Sequence, residues 1–237
     1  MCELVFDLET TGLPRRPQKR SRGSTPWMPP PEDLESYEEC QIVSIAWVLL
    51  SSDGNIVQQE YYMASPPGEI PSAATRIHGI STSEAVAHGH DIEEIVQRVH
   101  VALRRCNRLV SFNIAFDYNV LKSTLLRHGH GPVIEELDRK ERVCVMLLAQ
   151  GHMAAPFWPN LGDAYRYVFN RPIQDAHNAM GDVLSACKLY LAIRRPKAEP
   201  KAEPNAEPKA EPNAEPKAEP KAEPKAEPKA EPKAKGT

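Results

Sequence analysis

Two acidic residues, Asp7 and Glu9, stand at the end of an apolar segment that begins almost at the N-terminus, ELVFDLE (3–9). Residues two apart on a β-strand point the same way, so the two carboxylates project from one face and lie close together. Like charges this close repel, and each raises the pKa of the other unless a cation lies between them. Two structural explanations compete with a metal site: Glu9 could lie beyond the strand end in solvent, and Asp7 could pair with an arginine.

Three further residues have types that fit the same chemistry. Asp117 follows the apolar segment LVSFNIAF (109–116), where it could also serve only as a helix cap, and His177 and Asp182 lie five residues apart. Mg²⁺ and Mn²⁺ prefer carboxylate oxygens, and four carboxylates could hold two such ions about 3.5–4 Å apart, the spacing used for in-line displacement at phosphorus. A neutral histidine beside them could accept the proton of an attacking water.

Four segments carry a resemblance to a known family. VFDLETTGL (5–13), NIAFDYNVL (113–121) and DAHNAMGDV (175–183) resemble, in this order, the three motifs of the DEDDh 3′–5′ exonuclease family. RIHGIS (76–81) is similar to the segment with which that family contacts its substrate. The resemblance covers about residues 1–193, and the three motifs in order are far more specific than any one alone.

The resemblance implies a ribonuclease H-like fold, a mixed five-stranded sheet flanked by helices, with the metal site at the end of the central strands. It implies that two divalent ions, Mg²⁺ or Mn²⁺, are bound and that His177 is the general base. The implied metal ligands are Asp7, Glu9, Asp117 and Asp182. The implied substrate contacts are Thr10, Leu13, His78, Ile80, Asn113 and Phe116, although Phe116 could equally be a core residue.

The function that follows is removal of nucleotides from the 3′ end of DNA or RNA, and the expected partner is a nucleic acid with a free, single-stranded 3′ end. Whether the sugar is deoxyribose or ribose stays open, because that choice rests on pocket shape near the 2′ position. One alternative is a non-catalytic nucleic-acid-binding or scaffolding module that kept the fold. It is disfavoured because all five catalytic positions are present. A third possibility is an enzyme acting on small nucleotides or very short oligonucleotides.

The elements that must position these residues follow from local patterns. Strands are predicted at 3–9, 41–50, 56–64 and 109–112, with Asp53-Gly54 as a hairpin turn. Helices are predicted at 91–108, 117–129, 161–169 and 179–193, whereas VCVMLLA (143–149) fits either a strand or a buried helix. This order of elements indicates an α/β domain with a mixed sheet.

Residues 14–40, which connect the first two predicted strands, do not fit the short connections expected in a compact domain. The connection is long, rich in proline and without periodicity, so it is predicted to be functional or disordered. It begins with RRPQKRSR (15–22), which could be a nuclear localisation signal, a nucleic-acid-binding arm or simply a solvated loop. Its position directly after the acidic strand favours substrate contact over targeting.

The C-terminal segment repeats one tetrad, KAEP or NAEP, nine times from Lys197 to Pro232. A proline every fourth residue prevents helix formation, and nothing larger than alanine is available for burial. We therefore expect a folded domain over 1–195 and a disordered tail over 196–237, whose partner is unknown. Because the charges of the tail cancel, the net charge of −3 belongs to the folded part, and a near-neutral domain needs local cations or bound metal to hold phosphates.

Composition also bears on the compartment. The five cysteines are an odd number, lie far apart and form no CxxC, which favours reduced thiols in an intracellular, non-secreted protein of nucleus or cytoplasm. Asp7 and Glu9 interrupt the N-terminal apolar segment, which argues against a signal peptide, and no apolar run predicts membrane insertion. HGH occurs at 88–90 and 128–130, where solvated turns are favoured over a soft-metal site.

Overall fold

The structure is a computed structural model and describes residues 2–15, 28–173 and 178–194. In these ranges five strands form one sheet in the order β3-β2-β1-β4-β5. The central strand β1 pairs antiparallel with β2 and parallel with β4, so the predicted mixed five-stranded sheet is confirmed. The strands are β1 (Cys2–Thr10), β2 (Ile42–Leu50), β3 (Ile56–Met63), β4 (Cys106–Ser111) and β5 (Glu141–Cys144).

Helices cover both faces of this sheet. On one face, α3, α4 and α5 enclose the larger apolar core, and on the other, α6, α7 and α8 enclose the second. The helices are α1 (Ser72–His78), α2 (Thr82–His88), α3 (Ile92–Leu103), α4 (Ile114–Arg127), α5 (Gly131–Asp138), α6 (Val145–Met153), α7 (Leu161–Phe169) and α8 (Ala179–Arg194).

Strand β1 lies between the two cores and serves both. Leu4, Phe6 and Leu8 point into the larger core, whereas Val5 points into the core beneath α8. Because side chains alternate along a strand, the odd-numbered residues of β1, including Asp7 and Glu9, project towards the α8 side. The two acids therefore lie on the same face, as the sequence predicts.

Several element boundaries differ from the predicted ones. The segment 143–149, predicted as either a strand or a helix, contains the end of one and the start of the other. Strand β5 ends at Cys144 and α6 begins at Val145. At this junction the Met146 N–H donates to the Phe112 carbonyl at 2.8 Å. Helix α3 ends at Leu103, because the residues from Cys106 onwards pair with β1. The short helices α1, α2 and α5 were not predicted, since each is too brief for its periodicity to stand out.

The connection between β1 and β2 corrects the prediction for residues 14–40. Its second half, 28–40, is neither structureless nor disordered: Tyr37 is fully buried and its hydroxyl donates to the Pro29 carbonyl at 2.6 Å. Helix α4 holds the same segment, because Asn119 donates to the Pro29 carbonyl and Arg127 to the Leu34 carbonyl. One buried tyrosine with a satisfied hydroxyl thus anchors a segment that has no repeating apolar pattern.

Several predictions fall on residues that the structure does not describe. These are the basic residues 16–22, the proposed base His177 and the whole tail from 196 to 237. Within the described ranges, no helix has both the length and the apolar character that crossing a membrane requires. All five cysteines are described and free, and Cys40, Cys106 and Cys187 are buried.

Candidate active site

Three carboxylates from two distant segments converge at the end of β1. Asp7, Glu9 and Asp182 each place one carboxylate oxygen within 4.8 Å of the others. Strand alternation aligns the first two, and the first turn of α8 supplies the third. That turn is held by Asn178, whose side-chain carbonyl accepts the N–H groups of Met180 and Gly181 at 3.1 and 3.3 Å. Asp182 is thereby fixed against the strand acids.

The fourth predicted acid, Asp117, lies beside this group and is buried. Its carboxylate accepts the Leu8 N–H at 3.2 Å and the Ser111 hydroxyl. Because Leu8 separates Asp7 from Glu9, the first bond ties α4 directly to the acidic end of β1. Asp117 lies in the first turn of α4 and Asn113 occupies the cap position, so the alternative of a simple helix cap is wrong.

Burial and the proximity of other acids dominate the electrostatics of the site. Burial raises the pKa of Asp7 well above its ordinary value, and Asp117, Asp182 and Glu9 raise it further. Burial, Asp182 and Asp117 raise the pKa of Glu9 to about 8. Among the described residues no arginine or lysine pairs with Asp7, and Glu9 is half-buried. Neither structural explanation offered by the sequence therefore holds for the described ranges.

This donor set fits divalent metal. Three carboxylate groups within ligand distance of one another offer the hard oxygen donors that Mg²⁺ and Mn²⁺ prefer. Without a cation, burying several carboxylates together carries a large electrostatic cost, and that cost appears as the raised pKa values. Asp7, Glu9 and Asp182 would hold such an ion, and Asp117 is close enough to raise the pKa of both Asp7 and Glu9.

Four of the predicted substrate contacts lie at the ends of β1 and β4, close to the acids. Leu13 is 68% exposed, and the Thr10 hydroxyl donates to the Gly12 carbonyl at 2.8 Å, which shapes the turn leading to Leu13. Asn113 has a buried side-chain oxygen without a hydrogen-bond partner among the described residues. Phe116 is half-buried against the larger core, so packing and ligand contact are both available to it.

The other two predicted contacts, His78 and Ile80, are buried. His78 Nδ1 accepts the Ile80 N–H at 3.1 Å, which leaves the ring proton on Nε2, an atom without a partner among the described residues. Burial lowers the pKa of His78 and so favours the neutral ring. Ile80 packs with Val43 and Ile70 in a small separate cluster, so in this conformation it is a packing residue.

Three residues near the site were missed by sequence reasoning. Ser111 holds Asp117, as described above. Ser44 pairs across the sheet with Glu9, and its buried hydroxyl has no geometrically good partner among the described residues. Tyr61 lies opposite Ala46 on the edge strand, on the same face as Asp7. The register of the antiparallel strands could have revealed Ser44 and Tyr61. Once the residue pairing between β1, β2 and β3 is known, both residues are placed beside the acids.

The two HGH segments are exposed or half-buried, which agrees with the solvated turns predicted for them. Histidines of both segments contact the start of α3. His90 contacts Glu94 at 3.1 Å, while His128 and His130 contact Glu93 at 3.1 and 2.9 Å. Their glycines are structural, since Gly129 has φ +74° at the end of α4 and a Cβ on Gly89 would lie 2.2 Å from a carbonyl oxygen.

Comparison with known proteins agrees with this geometry. The family model described as Exonuclease, of the RNase T type, matches residues 4–190. No curated protein sequence matches the chain.

The fold is similar to that of several solved structures. Exonuclease I of Escherichia coli in complex with a dT13 oligonucleotide has a TM-score of 0.59 and 18% identity over 80% of this chain. A zinc-bound complex of the same enzyme with single-stranded DNA has a TM-score of 0.62 and 18% identity over 81% of the chain. Exonuclease I of Methylocaldum szegediense has a TM-score of 0.59 and 19% identity over 83% of the chain.

The likeness covers 40%, 40% and 41% of those three structures, so the chain spans about two fifths of their length. At these identities the structures bear on the fold alone. The sequence match over residues 4–190, together with an acidic centre on the strand and helices that carry the motifs, shows that the chain belongs to the RNase T-type exonuclease family.

Proposed function

We propose that the protein is a metal-dependent 3′–5′ exonuclease that removes nucleotides from the end of a single-stranded nucleic acid. The observation that carries the proposal is the convergence of Asp7, Glu9 and Asp182 within 4.8 Å, with Asp117 beside them. Acids that are buried together raise one another's pKa, and divalent ions at a scissile phosphate would offset that repulsion. The single-stranded DNA bound by the E. coli exonuclease I structures supports the substrate class.

Each residue of the centre has a distinct task in this proposal. Asp7, Glu9, Asp117 and Asp182 hold the ions, which when bound polarise the phosphodiester and lower the pKa of a coordinated water. Thr10 and Leu13 hold the terminal nucleotide at the exposed turn after β1. Asn113 offers its unpartnered carbonyl oxygen to a donor of the nucleotide, and neutral His78 offers an N–H.

His177 is the proposed general base, and it lies outside the described residues. Asn178, the residue after it, begins α8 by accepting the Asp182 N–H on its backbone carbonyl at 2.9 Å. In the sequence His177 lies five positions before Asp182, a proposed metal ligand. Its substitution by alanine should abolish most activity and leave Mn²⁺ affinity close to that of the wild type. An equal loss of Mn²⁺ affinity in the Asp182→Asn variant and in the His177→Ala variant would make His177 a ligand instead.

The experiment that tests the function compares 5′-labelled single-stranded DNA, duplex DNA and single-stranded RNA with Mg²⁺, Mn²⁺ or EDTA. A 3′–5′ exonuclease produces a ladder of shortening labelled strands, and EDTA stops it. A strand carrying a phosphorothioate at its last 3′ linkage should resist the first cut, whereas the same change at the 5′ end should have no effect. Release of the labelled 5′ nucleotide as the first product would reverse the proposed direction.

The alternatives give different results in the same experiment. A non-catalytic binding module would bind the strand and leave its length unchanged under every metal condition. An enzyme for very short oligonucleotides would degrade dinucleotides and leave long strands intact. The family match and the complete acidic set favour the exonuclease over both.

A further inference from the structure

The cations of the described part of the chain fall into two groups. About half of its lysines and arginines are engaged with acids of the same domain. The residues in such ion pairs are Arg15, Arg108, Lys122, Arg139, Lys140, Arg166 and Arg194. Arg15 belongs to the predicted basic arm, and Glu35, Glu38 and Glu39 already surround it. A phosphate-binding surface must therefore come from cations outside these pairs.

Two such cations line one cavity. Arg171 and Lys188 are exposed, and neither forms an ion pair within the described ranges. They border a cavity of about 260 Å³ between α8 and the segment after α7, together with Ser185 and Tyr165. Among the residues that the structure describes, no acidic side chain lines this cavity. We call it the α8 notch.

The α8 notch adjoins the acidic centre through the first turns of one helix. Gly181, Leu184, Ser185 and Lys188 line the notch and lie along one stripe of α8 at helical spacing. Asp182 is the residue directly after Gly181. It lies on the adjacent face of α8 together with Ala186 and Leu189, which are buried. A nucleic-acid strand that leaves the acidic centre across the start of α8 enters the α8 notch next.

We propose that the α8 notch binds a backbone phosphate of the nucleic-acid strand, upstream of the nucleotide that is removed. Arg171 and Lys188 supply the positive charge, and the Ser185 hydroxyl supplies a neutral donor. The site compensates for the acidic centre, which by itself repels a polyanion. This inference rests on the proposed function, since it assigns the path of the substrate.

The test measures binding separately from cleavage. The full-length protein is titrated in EDTA against a 5′-fluorescein-labelled single strand of 20 nucleotides, and anisotropy gives Kd at several salt concentrations. The double variant Arg171→Ala/Lys188→Ala should bind at least about tenfold more weakly at low salt. The slope of log K against log salt should become shallower by about 0.7 for each lost phosphate contact on a single strand. Ser185→Ala should weaken binding by about threefold.

A matched control is available in Arg104, an exposed arginine at the end of α3 that borders none of the cavities described here. Arg104→Ala removes one positive charge from the opposite face of the sheet and should leave Kd and salt slope close to those of the wild type. A second readout is hydrolysis of thymidine 5′-(4-nitrophenyl) phosphate, which has no upstream phosphate. The double variant should lose at least about tenfold more kcat/KM on the long strand than on this small diester.

Three results would overturn the proposal. The first is a double variant with the Kd and salt slope of the wild type, or with losses that Arg104→Ala reproduces. The second is the absence of wild-type binding at the lowest salt. The third concerns thymidine 5′-monophosphate as a competitor of strand binding. If its affinity falls in the double variant as much as that of the strand does, the notch is a site for the released nucleotide. If the wild type binds the strand through the notch and hydrolyses neither substrate, the exonuclease proposal fails and the notch stands.

Discussion

Strand β1 carries acids at both of its ends, on the same face, and the two ends are compensated in different ways. At the N-terminal end Glu3 accepts hydrogen bonds from Arg108 at 2.7 Å and from the Tyr190 hydroxyl at 3.1 Å, and Arg194 pairs with its other oxygen. At the C-terminal end Asp7 and Glu9 have other acids as neighbours, namely Asp117 and Asp182.

The comparison shows how to separate a structural acid from a functional one. Glu3 is nearly buried and its countercharges come from β4 and α8, so the folded chain satisfies it by itself. The acids at the other end raise one another's pKa, and a divalent cation would relieve that repulsion. A buried acid whose partners are also acids is therefore a stronger indication of metal chemistry than burial alone.

The largest expected effect comes from removing one acid at the C-terminal end of β1. Asp7→Asn should reduce nuclease activity by about a thousandfold or more, because a metal ligand is lost while the amide keeps the shape of the side chain. The same variant should melt at a higher temperature than the wild type in EDTA, since carboxylate repulsion is relieved. Asp138→Asn, an aspartate paired with Lys122 on the surface, is the control and should keep its activity. Substantial Mg²⁺-dependent cleavage by Asp7→Asn would contradict the site assignment.

The second prediction concerns pH. In the fold the pKa of Glu9 is about 8 against an ordinary value of 4.5, so the folded protein binds more protons than the unfolded chain between these values. Stability in EDTA should therefore fall as pH rises through this window, with a decrease in Tm on the order of 10 °C between pH 5.5 and 8.5.

Calorimetry at the two pH values measures this decrease. Excess Mn²⁺ should reduce it, because a ligand that binds only the folded state stabilises that state. Glu9→Gln should also flatten the dependence. A variant with the same slope as the wild type would show that the pH effect arises elsewhere in the chain.

At the N-terminal end of β1, removing the acid should lower stability and leave activity unchanged. Glu3→Gln leaves Arg108 and Arg194 without their shared carboxylate and should lower the free energy of unfolding by about 2 kcal/mol, because all three side chains are largely shielded from water. Activity per folded molecule should not change. Glu135→Gln is the matched control, since its pairing with Arg139 is exposed and should contribute less than about 0.5 kcal/mol. Urea denaturation of the three proteins makes the comparison, and equal stability would show that the Glu3 cluster contributes nothing.

The smallest expected effect concerns the hydroxyl that supports Asp117. Ser111→Ala removes a hydrogen bond that lowers the pKa of Asp117, so the acid should be protonated more readily and activity at neutral pH should fall about tenfold. Raising the pH should recover part of the loss. Ser123→Ala, another buried serine whose hydroxyl donates to the Val120 carbonyl, should cost stability and keep the pH profile of the wild type. Identical pH profiles for both variants would remove Ser111 from the site.

Much of the architecture and of the acidic centre followed from local sequence. Strand alternation placed Asp7 and Glu9 on one face, the hairpin at Asp53-Gly54 joined β2 to β3, and helical spacing located α3 and α8. These features are local, since each depends on residues within a few positions of one another, where period and turn chemistry act directly.

Features that depend on distant residues were decided by the tertiary structure. Tyr37 orders residues 28–40 because its ring reaches the larger core, and no pattern around it indicates that burial. His128 and His130, at the end of α4, both contact Glu93 in the first turn of α3, a pairing between residues 35 or more positions apart.

The two ends of β1 illustrate the same division. In sequence, Glu3 and Glu9 are both acids on one apolar strand, and only the spacing of Glu9 from Asp7 sets one of them apart; the partners of neither can be read locally. Pairing of β1 with β4 and packing of α8 bring Arg108 and Arg194 to Glu3, whereas the same contacts bring Asp117 and Asp182 to the other end. Electrostatic energy depends on distance in space, so the role of each acid was decided only when the chain had folded.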